Sequence, residues 1–63
     1  MIDELLLAAA YGQRVIVGLK NGEVILGRAQ ISTLSGVSKI KTDNNIVWVP
    51  HEDIEYVERL KDW

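Results

Sequence analysis

The sequence predicts a mainly β protein, one short N-terminal helix followed by five strands that bend into a small barrel. Three observations predict it. The hydrophobic period changes from helical to two residues at Arg14. Turn-forming residues recur at Asn21-Gly22, at 32–36, at Asp43-Asn44-Asn45 and at Pro50, cutting the remainder into runs of strand length. Finally, 63 residues make one domain, 1–63, too short for a two-sheet sandwich.

The helix is expected over residues 2–11. Asp3 and Glu4 suit the positive end of a helix dipole, Leu5 to Ala10 are strong helix formers, and Gly12 suits the position just past the C-terminus. Apolar side chains run almost all the way round it, the pattern of a helix covered on more than one side.

Strands follow at about 14–20, 23–31, 37–42, 46–49 and 54–60. Val15, Val17 and Leu19 alternate with Arg14, Ile16, Gly18 and Lys20, and Asn21-Gly22 signals a hairpin. Two registers are open. A two-residue turn puts Val24 and Leu26 on the face of Val17 and Leu19; a three-residue loop with a bulge at Gly22 puts Ile25, Gly27, Ala29 and Ile31 there. Either leaves apolar residues, Ile16 among them, on the second face. Gly27, in mid-strand, marks a bend or a close backbone approach. Lys39 and Lys41 share a face of the third strand. Pro50 stops the fourth, and His51-Glu52-Asp53 fits one 3₁₀ turn. In the last strand Ile54, Tyr56, Glu58 and Leu60 alternate with Glu55, Val57 and Arg59.

A chain this short buries only roughly 60% of its unfolded surface. It has no cysteine and one histidine, which removes disulfides and the common zinc sites. Self-association is the remaining source of stability, and 48% hydrophobic residues suit it. The expected interface residues are Leu6 on the helix, Ile16 on the second face of the hairpin, and Val47, Val49 and Val57 on the fourth and fifth strands. In such a barrel those strands are open edges, ready to pair with another chain. Pairing the fourth with the fifth of the next copy closes a ring, and a dimer through the helix is the simpler arrangement.

The net charge of −2, from seven basic and nine acidic residues, gives no global attraction to nucleic acid. Contact with RNA would need a local patch. Lys39 and Lys41, with Arg28 nearby, are the candidates, joined by His51 in the second loop and by Thr33 and Ser35 in the first. The acids Glu52, Asp53, Glu55, Glu58 and Asp62 form a solvated negative rim. The opening Met1-Ile2-Asp3-Glu4 lacks the basic residues of a secretory signal, and the apolar run from Leu5 to Tyr11 is too short to cross a bilayer. A cytoplasmic protein is expected.

Helix, hairpin, strand, strand, turn, strand is the order of the Sm-like barrels, and the residues resemble that family. Gln13 to Ile31, QRVIVGLKNGEVILGRAQI, is similar to the first motif of the Hfq-type proteins, with Leu19, Asn21, Gly22 and Gly27 in place. Residues Ile46 to Val57, IVWVPHEDIEYV, resemble the second. The resemblance implies a non-enzymatic, homo-oligomeric module in RNA-linked gene regulation, whose RNA contacts come from the loop after the second strand and the turn before the fifth. Here those read Ser32-Thr33-Leu34-Ser35-Gly36, without the family's Asp or Asn, and Pro50-His51-Glu52-Asp53, where Hfq-type proteins carry Lys-His. YolD-like proteins share Trp48, Pro50, Asp53 and Ile54, and Rof-type inhibitors share an acidic barrel behind a leucine-rich helix. Those likenesses imply a protein-interaction barrel, binding an RNA-handling protein without touching nucleic acid.

Nothing in the sequence points to catalysis, a metal, a cofactor or a small-molecule substrate. His51, Glu52 and Asp53 are the one titratable cluster containing histidine, and adjacent residues on a tight turn diverge. Gly18, Gly22 and Gly27 fall inside a hairpin, not at the strand-to-helix turn a phosphate loop needs. Trp48 is expected to cover the barrel wall or a subunit contact, with base stacking as its other use.

Overall fold

The computed structural model describes residues 2–60. Its elements are α1 (Ile2–Tyr11), β1 (Arg14–Leu19), β2 (Val24–Gln30), β3 (Val37–Lys41), β4 (Ile46–Pro50), a 3₁₀ turn (His51–Asp53) and β5 (Ile54–Leu60). The five strands form one antiparallel sheet in the order β4-β3-β2-β1-β5. The sheet is strongly bent and stays open, with β4 and β5 as its two edges. Asp62 and Trp63 lie outside the described residues.

The helix ends where the sequence places it. The Gly12 amide donates to Ala9 O and the Gln13 amide to Ala8 O, at 3.3 and 2.8 Å, the two bonds of a Schellman closure. Leu5 and Ala8 are buried against the core side of the sheet, whereas Leu6, at 64% exposed, Leu7 and Tyr11 face outward. Arg59 Nε on β5 donates to Glu4 Oε2 at 2.7 Å and fastens the helix to the sheet.

The hairpin takes the three-residue loop. Val17 pairs with Ile25 and Gly18 with Val24, so Ile25, Gly27 and Ala29 share the core face with Val15 and Val17. Asn21 Oδ1 accepts from the Glu23 amide at 3.0 Å, and Gly22 has φ +91°. A β-branched residue resists that backbone conformation. Gly22→Val is expected to lose about 1–3 kcal/mol of stability, read as a lower midpoint in urea; an unchanged midpoint would contradict the loop.

The core joins Leu5 and Ala8 to Val15, Val17, Ala29, Ile40, Val49 and Ile54. Gly27 lies so close to β3 that an added Cβ would stand 2.5 Å from Lys41 O and 2.8 Å from Ile40 Cγ2. The sheet folds on itself at this approach. In β5 the expected alternation breaks. Gly18 pairs with Tyr56 but Leu19 with Ile54, so Glu55 is an extra residue, and this bulge turns Ile54 inward while Tyr56, Glu58 and Leu60 stand on the outer face.

Candidate nucleic-acid interface

The pleat sorts the basic residues. Arg14 pairs with Arg28, Arg28 with Lys41, Gln30 with Lys39, and Lys39 with Trp48. Cross-strand partners share a face. Arg14, Arg28, Lys39 and Lys41 therefore all stand on the outer face, four of the seven basic residues of an acidic chain. Lys39 Nζ lies 5.5 Å from the centroid of the Trp48 ring, within cation–π range. Trp48 is 46% exposed and Leu26 56%, with Ile46 also exposed on this face. Cations thus stand among apolar and aromatic side chains.

Arg28 is anchored through its Nη1, which donates to Gly12 O at 2.5 Å. Arg14, Arg28 and Lys41 line a hollow of about 550 Å³ together with Leu26, Thr42 and Asp43.

The two candidate loops meet at one end of the sheet. The His51 amide donates to Gly36 O at 2.9 Å, and Ser38 Oγ and His51 Nε2 share a hydrogen bond of 2.7 Å. This seats the 3₁₀ turn beside the loop of Thr33 and Ser35, both exposed. An apolar groove of about 290 Å³ runs between helix and loop, lined by Leu5, Leu6, Ile31 and Leu34 and also by Lys39 and His51. Lys39, on the outer face beside Trp48, also borders this groove with His51, while Lys41 lines the hollow. Among the described residues no group of three or more His, Cys, Asp or Glu side chains could hold a metal ion.

The expected interface residues divide. Leu6 is exposed and Ile16 half-buried on the outer face. Val47 and Val57 are half-buried and pack against the core. Val49, at 3% exposed, belongs to the core, so within one chain its side chain faces inward and its backbone lies on the edge strand. Arg14 was absent from the sequence candidates. The three-residue register alone places it opposite Arg28, because a one-residue slip sends a side chain to the other face.

The architecture defines a class, a small, strongly bent five-stranded antiparallel sheet behind an N-terminal helix. No family model, curated protein or solved structure matches this chain. Among the described residues no helix is long and apolar enough to cross a membrane.

Proposed function

We propose that this chain is a non-enzymatic, homo-oligomeric Sm-like module that binds RNA in cytoplasmic gene regulation. One observation carries the reading: Arg14, Arg28, Lys39 and Lys41 gather on one sheet face beside exposed Trp48 and Leu26. Positive charge supplies affinity for a phosphate backbone, and exposed aromatic and apolar surface suits unstacked bases. Assembly supports the same reading. β4 and β5 are sheet edges, and pairing them head to tail would repeat the basic face round a ring. Repetition multiplies a weak single contact.

The test is retention of RNA by the parent chain across a salt series, together with a Lys39→Glu/Lys41→Glu double variant. The parent is expected to bind with an affinity that falls steeply with salt. The variant should lose roughly 100-fold or more while keeping its far-ultraviolet circular dichroism. Equal affinity in both would remove this face from the interface.

A second reading, a YolD-like or Rof-like protein-interaction barrel, is favoured by the apolar groove beside the exposed Leu6 and by the net acidity. It predicts no measurable RNA affinity in the parent.

A further inference from the structure

The basic face sets like charges opposite one another, Arg28 against Lys41 above all. Arg14 stands directly opposite Arg28 on the neighbouring strand, and Arg28 directly opposite Lys41 on the next. Three cations therefore form one cross-strand row over β1, β2 and β3. Strands lie about 4.8 Å apart, so the row spans roughly 10 Å. Like charges directly opposite one another destabilise a sheet. The neighbouring outer positions, Ile16 and Leu26, are a cross-strand pair of apolar residues.

We propose that the row Arg14–Arg28–Lys41 is a phosphate-binding track for single-stranded nucleic acid, which deepens the RNA-binding reading and rests on it. The three residues line one concave hollow, and Thr42 and Asp43 close it from the β3–β4 turn. Arg28 commits one guanidinium N–H to Gly12 O and keeps its other donors on a head group already held in place. Preorganisation of that kind lowers the cost of binding. A phosphodiester is the anion that fits, because the row crosses three strands in succession and its ends run into apolar side chains. Ile46 pairs with Lys41 at one end and Leu60 with Arg14 at the other, and Trp48 lies one outward-facing position beyond Ile46 on β4. Unpaired bases can lie on those flanks, whereas a duplex hides its bases. Asp43, the acid at the rim, disfavours a phosphate on its own side and biases the track toward Arg14 and Arg28.

The experiment measures binding of labelled oligouridine RNA, and of its duplex with oligoadenine, by anisotropy over a salt series. It uses the parent, Lys41→Gln, Arg28→Gln/Lys41→Gln, and Lys20→Gln at the exposed hairpin tip as the control. Each phosphate contact with a single strand contributes about 0.7 to the slope of log affinity against log salt. Lys41→Gln is expected to lower that slope by about 0.7 and the double variant by about 1.4, with roughly tenfold and hundredfold weaker binding at low salt. Lys20→Gln should keep the parent slope, and the duplex should bind more weakly than the single strand. Lys41→Gln lacks the Gly12 contact that complicates Arg28, and with a like charge removed it should melt about 1 °C or more above the parent. RNA binding with unchanged slopes in both row variants would overturn the track and leave the RNA-binding function standing. An equal loss in Lys20→Gln, or tighter binding of the duplex, would overturn it likewise. A parent that binds no RNA overturns the function and the track together.

Discussion

Gly27→Val is expected to prevent stable folding. Its first added atom would stand 2.5 Å from Lys41 O and 2.8 Å from Ile40 Cγ2, and the nearer of these is backbone. A flexible side chain could turn away, but β3 can move only by giving up its pairing with β2 and β4 and opening the bend. Overpacking in a filled interior typically costs 1–3 kcal/mol and occasionally more; a backbone clash belongs at the upper end, about 3 kcal/mol or beyond. Gly27→Ala should show most of the effect, because Cβ itself is the offending atom. Melting followed by circular dichroism checks both, and a Gly27→Ala midpoint within a few degrees of the parent would contradict the close approach.

Ile40→Ala should be nearly as damaging. Ile40 is fully buried and among the largest side chains of the core. It packs where β3 crosses the bend, beneath Gly27. Truncating a buried isoleucine costs about 2–5 kcal/mol, a large share of what so small a domain holds in reserve. At roughly 4–8 °C per kcal/mol for domains of this size, the midpoint should fall by more than about 10 °C. Ile46→Ala, at an exposed edge position, should fall far less.

Much of this fold is legible in the sequence because its local signals agree. Acids at the start of α1, a glycine just past its end and strong helix formers between them all fix one helix, and its bounds of 2 and 11 hold. The hairpin register is not legible, because Asn-Gly serves a two-residue turn and a three-residue loop equally well. The choice falls to the packing of Ile25 and Ala29 against Val15 and Val17, a tertiary matter. Arg14 was missed for that reason, whereas Lys39 and Lys41 needed only the two-residue period of a single strand. The inward face of Val49 is not legible for another reason. In Ile46-Val47-Trp48-Val49 every residue is apolar, so the alternation that separates core from surface leaves no trace in composition. The Glu55 bulge reversed the expected partners of Ile54 in the same silent way, since an inserted residue has no signature of its own.

The two open edges, the exposed Leu6 and the single basic row on an acidic chain all take their proposed use from self-association. Light scattering on the purified chain at micromolar concentration, with ultraviolet absorbance recorded on the same peak, measures it directly. The expected result is a folded particle whose mass is a whole multiple, two or greater, of 7.1 kDa, and which Leu6→Glu or blocking of the β4 edge reduces. A folded, soluble parent at 7.1 kDa would contradict the account.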